Sequence, residues 1–181
     1  MSDAGARIAA ILDGIGAREV LDIGCGGGGL ARMLTERGHA VTGIDPQAEV
    51  IAAARERVPE ARFILGGAEA LPFEDDSFDA SLFLNSLHHV PVPLMQTALH
   101  EALRVLRPGG EVVIVEPLAR GAFFEVMRPV EDESDIRTAA IAAIDAVRGA
   151  ATGPAPVTWE RPTPVADVEA FITYLARVDP A

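Results

Sequence analysis

The sequence contains no lysine. All fifteen of its basic residues are arginines, set against 27 aspartates and glutamates for a formal net charge of −12. Chemistry that needs a lysine amine, as Schiff base or as general base, is therefore excluded. An acidic balance of this size repels phosphate backbones, so nucleic acid is not an expected partner. Cysteine is almost as scarce. The single Cys25 cannot form an internal disulfide, and no Cys–Cys or His–Cys pair stands at metal-ligand spacing, so no metal site is expected. No apolar run approaches the roughly 20 residues that span a bilayer. The chain does not open on a basic segment followed by an apolar stretch and a cleavage site. A cytoplasmic protein without a membrane partner is the expectation.

What is present is a globular composition. Apolar residues fill 49% of the 181 positions, enough for one domain with a substantial core and too few for a comfortable second. The chain is organised around residues 19–30. Val20, Leu21 and Ile23 read as a short buried strand, and Leu30, Ala31, Met33 and Leu34 take up helical spacing. Between them lie Gly24, Gly26, Gly27, Gly28 and Gly29, interrupted only by Cys25. Such a turn lets backbone approach a small, nucleotide-like ligand closely, at the start of a helix.

Two ligands fit that turn. Gly24, Gly26 and Gly29 match the G-x-G-x-x-G of dinucleotide sites, with Asp45 21 residues beyond Gly24. Asp22, Gly24, Gly26 and Gly28 also form D-x-G-x-G-x-G. A pyrophosphate gains nothing from a carboxylate at the strand tip. S-adenosylmethionine, with a sulfonium and an ammonium against one carboxylate, does gain from it. Charge favours the methyl donor.

The rest of the first 117 residues alternates regularly. Helix 3–16, with Asp3 as its N-cap, precedes the first strand; helix 29–37, strand His39–Asp45 and helix Pro46–Val58 follow the glycines. Then come strand Arg62–Leu65, strand Asp79–Leu84, helix 93–106, the turn Arg107-Pro108-Gly109-Gly110, and strand Glu111–Glu116, apolar enough to be buried on both faces. The pattern predicts an α/β fold: a Rossmann-like, doubly wound, mostly parallel sheet with helices on both faces. Ligands of such sheets sit at the carboxyl ends of strands, where Asp22, Gly24, Asp45, Glu69 and Asn85 fall. Beyond residue 117 the pattern predicts helices at 119–129 and 132–149, a connection Gly149–Pro156, one strand Val157–Glu160 and a last helix Val165–Val178.

Val20–Leu30, Gly43-Ile44-Asp45-Pro46, Ala68–Asp79 and Leu106–Pro117, in that order, resemble the successive motifs of class I S-adenosylmethionine-dependent methyltransferases. The nearest subgroup is the small-molecule one that includes ubiquinone and menaquinone biosynthesis enzymes. The resemblance covers residues 1–117 and implies a single methyltransferase domain over 1–181, with 1–117 as the cofactor-binding core and 118–181 adding helices and one strand. Members usually close the sheet with an antiparallel strand pair, which is incomplete here. The expected consequence is a sheet edge left exposed or borrowed by a partner chain in a homodimer.

The resemblance also implies roles. Asp22 would orient the methionine ammonium, Gly24, Cys25 and Gly26 would lend backbone around the methionine, and Asp45, followed by Pro46, would accept the ribose hydroxyls. Ala68 and Glu69 match the adenine side, and Leu84 and Asn85 offer backbone to the ammonium. Each has a plainer alternative: loop brace for Asp22, helix cap for Asp45, tight-turn filler for Cys25, exposed loop residue for Glu69. His88 and His89 cannot both point inward from an extended chain. His89 is the candidate base, although methyl transfer is an in-line displacement that depends mainly on positioning. Phe123, Phe124, Met127 and Arg128 offer an acceptor lining or a packing face, and His100 and Glu101 read as a solvated helix face.

The expected activity is methyl transfer from S-adenosylmethionine, with S-adenosylhomocysteine as product, to an O, N or C nucleophile of a small organic molecule. The competing readings are a non-catalytic cofactor-binding or dimerisation module and, behind it, an NAD-dependent oxidoreductase, for whose substrate domain the chain has little room.

Overall fold

Short apolar runs alternating with amphipathic segments fold here as successive βαβ units. The computed structural model describes residues 3–148 and 155–160. In chain order the elements are α1 (Asp3–Ile15), β1 (Glu19–Ile23), α2 (Gly29–Thr35), β2 (Ala40–Asp45), α3 (Ala48–Arg57), β3 (Arg62–Leu65), β4 (Phe78–Leu84), α4 (Met95–Arg104), β5 (Leu106–Val115), α5 (Ala122–Met127) and α6 (Ser134–Arg148). Two 3-10 turns, Leu87–His89 and Val92–Leu94, lead from β4 into α4.

The five strands are all parallel and lie in the order β3-β2-β1-β4-β5. The chain winds outward through β2 and β3, then crosses back to β4 and β5 on the other side of β1. In sheets of this kind such a reversal puts the ligand crevice at the carboxyl ends of the two strands between which the order reverses, here β1 and β4. Ile23 lies level with both Ile44 and Phe83, so the tips of β1, β2 and β4 finish together.

Alternation along β1 and β4 feeds two hydrophobic layers. Val20 and Leu82 join Ile8 and Leu12 of α1, Leu30 and Leu34 of α2, and Ile51 and Ala54 of α3 on one face. Leu21, Ile23 and Phe83 join Met95, Ala98 and Leu99 of α4 and Ala140 of α6 on the other. Both faces of the central strands are thus covered, as a parallel sheet requires. Truncating a fully buried residue such as Leu82 should cost about 2–5 kcal/mol of stability.

Three expectations need correction. β5 starts at Leu106, five residues early, because Arg107–Gly110 bulge outward between the Phe78–Leu106 and Ala80–Glu111 pairs. It is also not buried on both faces: of Glu111–Val115 only Val113 is fully buried, since β5 is an edge of the sheet among the described residues. No strand forms at Val157–Glu160. That segment instead sets Trp159 under the Arg7 guanidinium of α1, 4.7 Å from the ring centre. The expected helix Val165–Val178 and residues 149–154 of the connection lie outside the described residues.

Candidate functional site

Asp22 is the next-to-last residue of β1 and shares the Val20 face of the sheet, beneath the glycine loop. Its carboxyl is only 2% exposed, and Oδ2 has no hydrogen-bond partner among the described residues. Burial first, and the nearby charge of Asp45 second, push its pKa up to about 7. A buried carboxylate oxygen normally finds a donor, and among the described residues this one has none.

The glycines explain the shape above it. Gly24, Gly26 and Gly28 all hold positive φ, at 71°, 51° and 75°. At Gly24 a Cβ would also collide with Ser86, 2.4 Å from its Cβ, because the turn after β4 crosses the loop there. At Gly26 a Cβ would meet nothing within 4 Å. The loop is crowded beneath and open above. Its first N–H groups are already committed to β2: Gly24 and Cys25 both donate to the Ile44 carbonyl, at 2.8 and 3.1 Å. Gly24 and Gly26 therefore border the crevice through their α-carbons more than through free donors. Cys25 is buried, and burial followed by Asp22 and Asp45 drives its thiol far above the ordinary range, so it is an inert filler.

Asp45 braces both the glycine loop and the start of α3. Its Oδ1 accepts from Gln47 N at 3.0 Å, bracing the start of α3, and Oδ2 accepts from Gly26 N at 3.1 Å. One hydrogen bond to each oxygen leaves acceptor capacity on a carboxylate. Pro46 is exposed at the rim. Ala68 is buried beyond β3, and Glu69 folds its carboxylate over Gly67, where a Cβ would lie 2.5 Å from either oxygen.

The turn after β4 forms the opposite wall. Asn85 is exposed in a left-handed conformation (φ 53°) and donates its N–H to the Val115 carbonyl at 2.8 Å. Leu84, half-buried, pairs with Val115. Ser86 Oγ donates to the Ile23 carbonyl at 2.6 Å, tying this turn to the end of β1. Glu116, one residue past β5, then gathers the turn from below. Its Oε1 accepts from Ser86 N at 3.0 Å and Leu87 N at 2.8 Å, and its Oε2 pairs with His88 Nδ1.

The local chain is a 3-10 turn and not extended, so the two imidazoles come together, with ring centres 4.1 Å apart. His88 is the buried member; His89 is exposed. Partial burial of its ring, then the neighbouring His88, hold the His89 pKa below the ordinary imidazole value, against the pull of Glu133, Glu116 and Glu131. The shift favours the neutral ring, the form that has a lone pair to accept a proton.

Sequence reasoning passed over Glu116 and Ser86. The available signal was an acid directly after an apolar strand, the situation Asp45 also occupies. Glu101 is not a solvated residue either. It is half-buried, accepts from Leu71 N at 3.0 Å and pairs with Arg104, which reaches the Leu71 and Phe73 carbonyls, so the two fasten the 71–75 loop. His100 is exposed, as expected. Phe124 packs inward beneath the Arg137 guanidinium, and Arg128 pairs with Glu125 on the surface, 3.1 Å apart. Arg128 has therefore found a partner within its own helix.

Known proteins share this fold. Curated relatives include a phthiotriol/phenolphthiotriol dimycocerosates methyltransferase of Mycobacterium tuberculosis, 42% identical over 100 residues that make up 53% of this chain and 36% of that protein. A demethylmenaquinone methyltransferase of Renibacterium salmoninarum is 37% identical over 109 residues, 59% of this chain and 45% of its own. The matched part thus spans less than half the length of these relatives. Among solved structures, an amino pentose methyltransferase from Micromonospora echinaspora with bound S-adenosylmethionine superimposes with a TM-score of 0.59 at 26% identity, over 64% of this chain and 50% of that one. The family model for the methyltransferase domain matches residues 20–110, half of the sequence. The chain belongs to the methyltransferase domain family.

Proposed function

We propose that the crevice between β1 and β4 binds S-adenosylmethionine and that the protein transfers its methyl group to a small organic acceptor. The observation that carries this reading is the buried Oδ2 of Asp22, unpartnered among the described residues, with a second carboxylate, Asp45, close enough to raise its pKa. Two acids under a glycine loop suit a cationic ligand and disfavour a pyrophosphate. The residues present fit the methyl donor: Asp22 would meet its ammonium, Asp45 the ribose hydroxyls, and Ala68 and Glu69 the adenine. Leu84 and Asn85 would close the methionine side. When bound, the cofactor supplies a methyl group activated by a sulfonium.

The chain's own part is positional. Glu116, Ser86 and the strand tips hold the turn 85–89 in one conformation, and in-line transfer gains most from such fixed placement. His89 is the group placed to relieve an acceptor of its proton. The acceptors named for the relatives run from demethylmenaquinone to an amino pentose, so the acceptor here is proposed only as a small organic nucleophile. No helix of the described residues is long and apolar enough to cross a membrane.

Calorimetric titration with S-adenosylmethionine and, in parallel, with NAD tests the cofactor. One-to-one binding of the first alone is expected, and binding of the dinucleotide alone would overturn the reading. Incubation with a panel of small nucleophiles should release S-adenosylhomocysteine; a protein that binds the cofactor and never turns it over is a binding module instead. Asp45→Ala should weaken cofactor binding by about 1.5–3 kcal/mol, the worth of hydrogen bonds to a charged group.

A further inference from the structure

We propose that His88, His89 and Glu133 form a site for a divalent transition-metal ion of the zinc class. One ligand atom from each of the three lies within 4.8 Å of the others. His88 and His89 come from the turn after β4, and Glu133 from the residue before α6, so residues 44 apart in sequence meet in space. Adjacent spacing rules of the Cys–His kind do not detect such a site.

The set has more than proximity. Glu116, whose side chain is 2% exposed, accepts at His88 Nδ1 and leaves Nε2 as the ring nitrogen for a ligand. A carboxylate behind a histidine in this manner fixes the tautomer and the ring orientation that a metal needs. Glu133 is partly engaged by Arg137, yet both guanidinium contacts, from Nε and Nη2, land on Oε2. Oε1 is left outside that pair. Arg137 is itself held over Phe124 and reaches the Leu118 carbonyl, so Glu133 is placed by its neighbours.

Two histidines and a carboxylate are a ligand set that zinc accepts, with a fourth position open. Zinc–ligand bonds of about 2.0–2.2 Å put neighbouring donors ~3.3 Å apart. Closing from the 4.8 Å limit asks for an adjustment of up to about 1.5 Å, shared between rotation of the exposed His89 and a shift of the Glu133 side chain. Glu116 and Glu131 add negative charge around the cluster. The site stands on this geometry. Its use rests on the methyl-transfer reading: an ion with an open position would bind an acceptor oxygen and lower its pKa, taking over the task given above to His89.

The test uses the full, tag-free chain after chelator treatment. Calorimetry with zinc alone should give saturable one-to-one binding, and cobalt(II) should give the visible absorption of a tetrahedral ion. His89→Ala and Glu133→Gln, both at positions outside the core, should each weaken zinc at least about tenfold, and Glu116→Gln about tenfold through loss of its hold on His88. His100→Ala should change nothing. Absence of saturable binding, or binding that the His89 and Glu133 variants leave unaltered, would overturn the site. S-adenosylmethionine affinity, measured on the same samples, reports the cofactor reading separately: either result can fail without the other.

Discussion

Asp22 and Asp79 stand at opposite ends of the same sheet, and they live in opposite circumstances. Asp79, near the start of β4, accepts the N–H groups of Arg18 and Glu19 through Oδ2, at 2.8 and 2.9 Å, and pairs with Arg107 through Oδ1 at 2.7 Å. Burial works against its charge, but the Glu19 N–H, the Arg107 guanidinium and the Arg18 N–H outweigh it, and its pKa falls. Asp22 has burial without such compensation, and its pKa rises. At the amino ends of the strands an acid closes the structure on itself. At the carboxyl ends one has an oxygen without a partner among the described residues, and its charged form is costly there.

The sharpest way to break this contrast is Asp22→Asn. Loss of a charge-assisted contact should weaken S-adenosylmethionine binding by about 2–3 kcal/mol by calorimetry. The same variant should melt higher than the parent at pH 8 and closer to it at pH 5. The sign follows from the raised pKa: the folded state holds its proton up to about 7, whereas the unfolded chain releases it near 4, so this group's contribution to stability is lost as pH rises across that window. Cofactor affinity that survives the substitution would mean that Asp22 is only a brace.

A smaller effect is the pH dependence of binding itself. A cationic ligand favours ionised Asp22, so affinity should rise about tenfold from pH 6 to pH 8, the change in ionised fraction for a group titrating near 7. The rise should vanish in Asp22→Asn. A flat profile in the parent chain would separate the cofactor from this carboxyl.

Smallest is Asp79→Asn. With the lowered pKa, the stability that Asp79 contributes is present above the ordinary carboxyl range and lost as pH falls through its folded value. The variant should lose about 1 kcal/mol at pH 7 by denaturant unfolding, less at pH 3, with cofactor affinity unchanged. Were Asp79→Asn to weaken the cofactor instead, the two ends of the sheet would not divide their labour in this way.

The parallel sheet was legible because its signals are local and redundant: a strand, five glycines and a helix in twelve residues, then acids at Asp22 and Asp45 ending apolar runs. The site was legible where a residue's position along its own strand determined its place. It was not legible where the chain meets itself across distance. Glu116 gains its importance from Ser86, Leu87 and His88, some thirty residues earlier, and Glu101 from Leu71. Neither contact leaves a periodicity. Val157–Glu160 misled for the opposite reason: a short β-prone run is a strand only once it pairs, and this one sets its tryptophan against α1 instead.

Trp159 is the only tryptophan in the sequence, and it lies half-buried under Arg7 of α1. The molecule thus carries an intrinsic optical probe of whether the segment after α6 stays docked on the first helix. Because a guanidinium over the indole face alters its emission, undocking would register as a fluorescence change without any label. Loading the crevice while watching that signal would show whether α1 and this returning segment respond to the ligand as a cover, or sit through its arrival unchanged.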